Sequence, residues 1–180
     1  MTGQGGVRLR VSVAVVRGQE LLVVRRERSG QVTWVLPGGD PRPGEGIAAC
    51  ARREVVEETG LDVHPARIAF ASETIDPTRH ERTVELVFLA MVARGSGDPE
   101  PVEDGMRPCF VGLDTLGSLD LRPPIAGYLR GLRGSGLRGS GLSRTAPFLG
   151  NLWRDQALVA GGQATSRTDD DDEDAVVLSG

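Results

Sequence analysis

GDPRPGEGIAACARREVVEETGL, residues Gly39 to Leu61, is the stretch that decides how this chain folds. Glu54, Glu57 and Glu58 stand at relative positions 0, 3 and 4, a spacing that puts all three on one face of a helix, a turn or less apart. Carboxylates that close repel one another unless positive charge sits between them. A hard divalent cation, Mg²⁺ or Mn²⁺, suits such a set because it takes oxygen ligands and keeps waters and substrate phosphates in its shell. Arg53, four residues before Glu57, is placed to brace that carboxylate. At roughly 100° per residue, Ala48, Ala51 and Val55 share a face about a quarter-turn from the glutamates. One side of the helix therefore packs on a sheet while the adjacent side faces a cleft. Gly60 supplies the left-handed position that ends the helix. Upstream, Leu36-Pro37-Gly38-Gly39 lets the backbone turn tightly and approach a ligand, and Pro41 and Pro43 hold the following loop extended. The helix is expected to begin near Glu45 or Gly46.

The segment resembles the Nudix box of the Nudix hydrolases at every signature position: Gly39, Glu45, Arg53-Glu54, aliphatic Val55, Glu57-Glu58, Gly60 and aliphatic Leu61. The resemblance extends from about Val7 to Leu129. It implies an α/β Nudix fold, a mixed β-sheet sandwiched between α-helices. It also implies metal-dependent attack of water on a phosphoanhydride, in a nucleoside diphosphate linked to another moiety, with ADP-ribose or nucleotide-sugar types favoured. Glu54, Glu57, Glu58 and Arg53 are the catalytic set. The three glutamates and the Gly38 carbonyl are the metal ligands, for Mg²⁺ or Mn²⁺. The general base is Glu54 or a carboxylate on a later loop, where Glu103 and Asp104 lie, and Glu45 supports the loop–helix geometry. Arg25, Arg28, Gly39 and Glu103 are the candidate substrate contacts. Pro77, sixteen residues after Leu61, falls near the place where ADP-ribose hydrolases of this superfamily carry a proline. Two other readings stay open: a nucleoside triphosphate pyrophosphohydrolase of the sanitising type, and a non-catalytic nucleotide sensor of the same fold. The sensor is disfavoured because every box carboxylate is present.

Composition narrows the alternatives. The formal net charge is −4, but the run Asp169 to Asp174 is wholly acidic, and the remainder is slightly positive. No basic domain of the nucleic-acid-binding kind results. The chain has no lysine, which removes Schiff-base chemistry and a phosphate-loop lysine. Cys50 and Cys109 lack metal-ligand spacing and read as reduced thiols, Cys50 as packing, in a cytoplasmic protein. No apolar run is long enough to span a bilayer. The expected partner is a small nucleotide-type molecule.

Along the chain, residues 1–6 are expected to be disordered. Arg8 to Val16 alternate apolar and polar as a half-buried strand, Glu20 to Arg25 and Val32 to Leu36 are further strands, and Arg26 to Gly30 is an exposed loop. Asp62 to Ser72 reads as a strand, Glu73 to Arg82 as a loop, and Thr83 to Ala93 as a central strand apolar on both faces, Phe88 and Ala90 against Val87, Leu89 and Met91. Pro108 to Val111 is a short strand, Leu113 to Leu119 a helical turn, and Pro123-Pro124 opens a helix to about Leu129. This domain spans 7–130. A Gly/Ser/Arg-rich linker at 131–147 leads to a short docking helix at 148–160, whose apolar side packs on the domain or on a second subunit of a homodimer. Residues 161–180 form a disordered acidic tail.

Overall fold

The computed structural model describes residues 6–102, 105–131 and 146–153. The alternating segment Val7–Arg17 is strand β1. It is followed by β2 (Glu20–Arg28), β3 (Gln31–Val35), β4 (Gly38–Gly39), α1 (Ile47–Thr59), β5 (Val63–Asp76), β6 (Glu81–Val92) and β7 (Met106–Gly112). A 3₁₀ turn at Thr115–Ser118, α2 (Ala126–Arg130) and β8 (Phe148–Asn151) complete the order. The described strands form a mixed sheet in the order β3-β2-β1-β6-β5-β8, with β4 on β1 and β7 on β2. β1 and β6 run parallel, and β5 and β6 run antiparallel.

Each sheet face carries its own core. Cys50, Ala51 and Val55 of α1 pack with Val11, Val13, Val15, Phe88 and Ala90 on one side. On the other, Leu116 of the 3₁₀ turn and Leu129 of α2 pack with Ala14, Val23, Phe70, Val87 and Leu89. The helices therefore sandwich the sheet, as the box resemblance implies. β6 is central and buried on both faces, although Met91 near its end is exposed.

One irregularity in the sheet creates the site. β1 and β2 pair only at Val16–Leu21 and Arg17–Glu20, then part. β4 fills the gap: Gly39 pairs with Val11, Gly38 pairs with Ser12, and the Val13 N–H donates to the Pro37 carbonyl at 2.9 Å. A side-chain carbon at Gly38 would overlap the Val11 carbonyl and the Ser12 backbone, so the close approach admits only glycine. The chain leaves this wedge and enters α1 after Gly46. It leaves α1 through Gly60, whose φ of 69° lets its N–H cap the Val56 carbonyl.

Three local expectations change. Arg26, Glu27 and Arg28 are strand rather than loop, because β2 pairs with β3 along their length and the reversal is confined to Ser29-Gly30. Both turn residues have positive φ, the geometry that matches strand twist in a tight hairpin. The loop after Ser72 shrinks likewise: β5 continues to Asp76, whose carboxylate accepts the N–H groups of Thr78 and Arg79 across the turn. The segment expected as a helix from Phe148 opens as strand β8, parallel to β5. The Ala71 N–H donates to Pro147, and the Leu152 N–H donates to Glu73, each at 2.9 Å. A vacant sheet edge outweighs the helical spacing of Leu149, Leu152 and Trp153 in a stretch interrupted by Gly150. The remainder of that segment, Glu103 and Asp104, residues 1–5, most of the expected linker and the acidic tail lie outside the described residues.

Candidate active site

Arg53 is the hub of the α1 surface. Its Nε and Nη2 hold the two oxygens of Glu45 at 2.7 and 2.8 Å, and its Nη1 reaches Glu57 Oε2 at 2.9 Å and also the Glu54 carboxylate. Nη2 donates as well to the Asp40 carbonyl at 3.2 Å. One planar fork thus ties the loop after Gly39 to the helix, a task that suits guanidinium geometry. Hydrogen bonds from Arg53, and then from the Arg42 N–H, hold the Glu45 carboxyl down to about 2. The reciprocal interaction with Glu45 raises Arg53 above its ordinary value. Glu45 thus sits where the sequence reading put it, bracing the loop, and the expected Arg53–Glu57 pair is present.

Glu58 belongs to a different arrangement. Its side chain is 5% exposed, lodged between Arg26 Nη2 at 2.8 Å and the Gly38 N–H at 3.1 Å. Burial pushes its carboxyl above the usual range, against the opposing pull of Arg26 and the Gly38 N–H. Glu57 is the most exposed of the three and takes Arg42 as a second partner at 2.8 Å. Glu54 lies against the backbone of Gly39, so close that a side-chain carbon there would overlap its carboxylate. Cys50 is buried beside this group, and burial raises its thiol to about 11, which fits a packing role.

Each carboxylate therefore faces an arginine. Among the described residues, no three Asp, Glu, His or Cys side chains converge closely enough to hold a metal ion as they stand. The donor chemistry still fits a hard divalent cation: every available ligand is oxygen, the three glutamates lie within about one turn, and Gly39 leaves room for Glu54 beside the β4 backbone.

The sequence-predicted contacts divide. Gly38, Gly39, Arg53, Glu54, Glu57 and Glu58 come together. Arg25 does not: successive residues of β2 point to opposite faces, and it pairs with Glu27 at 3.0 Å. Arg28 is exposed at the end of β2. Arg26, between them, is the arginine that reaches the box.

A second feature adjoins the first. A cavity of about 330 Å³ opens on the α2 face of the sheet, lined in part by Arg8, Arg10 and Glu85. Glu85 is 6% exposed and accepts the Ser12 hydroxyl, and Arg10 Nε stands 3.6 Å from its carboxylate. Ser12 is the β1 partner of Gly38, and Arg8 pairs with Asp40 at 2.7 Å, so the cavity borders the box loop through two contacts. Glu85 escaped the sequence reading, although an acidic residue on a face shared with Val87 and Leu89 of the most apolar strand was an available signal.

No described helix is long and apolar enough to cross a membrane. The profile of the NUDIX domain family matches residues 6–131. The NAD-capped RNA hydrolase NudC of Stutzerimonas stutzeri is 35% identical over 119 residues, which cover 65% of this chain and 41% of that protein. The 8-oxo-dGDP phosphatase NUDT18 of Mus musculus is 31% identical over 116 residues, covering 57% of this chain and 34% of that protein. The chain thus spans well under half the length of either relative. Among solved structures, a MutT NUDIX hydrolase from Burkholderia pseudomallei is 28% identical, with a TM-score of 0.54 over 61% of this chain and 85% of that one.

Proposed function

The chain belongs to the Nudix hydrolase family, and on that premise we propose that it hydrolyses a phosphoanhydride in a nucleoside diphosphate linked to a second moiety, of the ADP-ribose or nucleotide-sugar type. The observation that carries this reading is the Arg53 hub. It joins Glu45, Glu54 and Glu57 beside Gly39, with Glu58 against Gly38, next to a cavity within the size range of ligand pockets. Glu54, Glu57 and Glu58, with the Gly38 carbonyl, are the groups that would hold Mg²⁺ or Mn²⁺. The cation supplies positive charge against the pyrophosphate and makes water a better nucleophile. Arg53 orients Glu54 and Glu57 from one side, while Arg26 and the Gly38 N–H orient Glu58 from the other. Glu54 is our choice of proton acceptor: it is mostly buried, fixed by Arg53 and adjacent to the β4 backbone. Water oxygen bonds to phosphorus, its proton passes to Glu54, and the bridging P–O bond breaks to leave two phosphate monoesters. The nucleoside occupies the neighbouring cavity, and the reaction is a cytoplasmic one.

The activities of the two relatives bear on this choice. One acts on an NAD cap, itself a nucleoside diphosphate linked to a second group. The other is an 8-oxo-dGDP phosphatase, and its activity on an unlinked nucleotide favours, as second reading, a nucleoside triphosphate pyrophosphohydrolase of the sanitising type. A panel of nucleotide sugars, dinucleotides and nucleoside di- and triphosphates, in ¹⁸O-water with products read by mass, tests both. The expected result is two monoesters from a linked diphosphate, one of them labelled. Cleavage confined to unlinked nucleotides would select the second reading, and binding without cleavage would select a sensor.

The hub makes its own prediction. Arg53→Lys keeps the charge but loses the fork, and one ammonium cannot hold Glu45, Glu54 and Glu57 together. Groups that orient metal-site carboxylates commonly matter by roughly 10–100-fold in activity. We expect a loss of that size in kcat on the best panel substrate, with a lower Tm because the loop is released from α1. Wild-type values for both would show that the fork is dispensable.

A further inference from the structure

The cavity beside the box is lined in part by side chains that have no place in the box resemblance, Glu85 and Trp153 among them. Resting on the proposed nucleotide substrate, we infer that this cavity reads the nucleobase: Trp153 stacks on its face, and Glu85 accepts an N–H from an exocyclic amino group.

Trp153 reaches the cavity because of β8. The strand adds to the free edge of β5, and the Leu152 N–H donates to Glu73 at 2.9 Å. Asn151 fixes the exit, its Oδ1 accepting the N–H groups of both Ile75 and Trp153. The chain thereby sets the half-buried Trp153 in the cavity wall, with Leu152, Leu121 and Pro123 as apolar neighbours. A flat apolar wall with a polar floor suits a heteroaromatic ring, which has a π-face to stack and a polar edge.

The floor restricts the edge. Burial pushes the Glu85 carboxyl above the usual range, while the Ser12 hydroxyl and Arg10 favour its charged form. As a carboxylate it has only acceptors, and its Oε1 already takes the Ser12 hydroxyl. Across the strand pair lies Ser72, fully buried, its hydroxyl without a hydrogen-bond partner. The cavity arginines already have partners: Arg8 has Asp40, Arg10 has Ser12 and Glu85, and Arg122 has Asp120. Their charge is offset, so phosphate gains little here and the phosphates belong at the box, while an exocyclic amino group gains a carboxylate acceptor. Adenine, guanine and cytosine carry an amino group. Hypoxanthine and uracil lack one, and where a carbonyl replaces it the oxygen would face the carboxylate.

The test separates this inference from the hydrolytic reading because it needs no turnover. Wild-type protein in excess EDTA is titrated with AMP, GMP, CMP, IMP and UMP by calorimetry, and tryptophan fluorescence is followed in parallel. At least one amino-bearing nucleotide should bind roughly 10–150-fold tighter than its counterpart without the amino group, the range of a hydrogen bond to a charged group. Trp153→Ala should weaken that preferred nucleotide roughly 5–150-fold, with Trp153→Phe restoring most of the loss. Glu85→Gln, whose amide presents a donor as well as an acceptor, should level the pair. Melting curves guard against misfolding, and Trp153→Phe keeps the stacking test independent of Glu85. The inference falls if no nucleotide binds, if all five bind wild type alike, or if Trp153→Ala binds as wild type. Hydrolysis of linked diphosphates with base-indifferent binding would remove the inference and leave the proposed function standing. Selective binding without hydrolysis would do the reverse.

Discussion

Excess EDTA should reduce hydrolysis of the best substrate to background, Mg²⁺ or Mn²⁺ should restore it, and Tm should move by only a few degrees. The activity half follows from charge. A pyrophosphate brings several negative charges to a surface that already carries Glu54, Glu57 and Glu58, and Arg53 and Arg26 are engaged in neutralising those same carboxylates. The protein alone has little positive charge left to offer the substrate there. The stability half follows from the same pairs. In a domain whose fold depends on its metal, chelation removes folding free energy and the domain melts. Here the core lies in two apolar layers on either side of the sheet, and the box carboxylates already have partners. Full turnover in excess EDTA would rule out the proposed mechanism. A collapse of Tm in EDTA would mean that the arginine pairs do not hold the box together by themselves.

What the sequence revealed, and what it hid, divides by sequence separation. The Arg53–Glu57 pair and the Gly60 cap are local, fixed by helix geometry within one or two turns, and spacing alone exposes them. The Arg26–Glu58 pair joins residues 32 apart, and the Ser12–Glu85 pair residues 73 apart. Both depend on how strands assemble, which no local pattern encodes. Arg26 was further obscured by its neighbours: Arg25 to Arg28 is continuous charge, as a solvated loop would be, and only pairing with β3 and β7 makes it strand and sends alternate residues to opposite faces. β8 was obscured in the opposite sense. The spacing of Leu149, Leu152 and Trp153 suits a helix, but the open edge of β5, itself invisible in a local reading, takes the segment as a strand. Tertiary context overrode local preference in each case.

The same hidden pair reverses one expectation about Glu58. From sequence, Glu58→Gln relieves repulsion among clustered carboxylates and leaves metal-free stability unchanged or slightly higher. In the folded chain that repulsion is already answered, because Arg26 contacts Glu58 and Arg53 contacts the other two. Glutamine can still accept the Gly38 N–H, but it offers Arg26 a neutral partner, and Arg26 Nε is already buried without one. Arg26 is 33% exposed and can turn part of its charge to water, which limits the damage. We therefore expect a destabilisation on the order of 1–3 kcal/mol, a fall of a few degrees in Tm. Turnover should fall far more, by ~10²–10³, the usual scale for losing one electrostatic contact to a developing charge. Glu57→Gln should match the loss of turnover with a smaller change in Tm, since Glu57 is the most exposed of the three. Arg52→Gln is the control: Arg52 pairs with Asp62 in an exposed bridge away from the carboxylates, and both readouts should stay near wild type. Arg26→Gln combined with Glu58→Gln then separates the two effects. Removing the orphaned guanidinium should recover Tm and leave turnover as low as in the single variant. If turnover stays near wild type in both Glu57→Gln and Glu58→Gln, the box is not the catalytic centre.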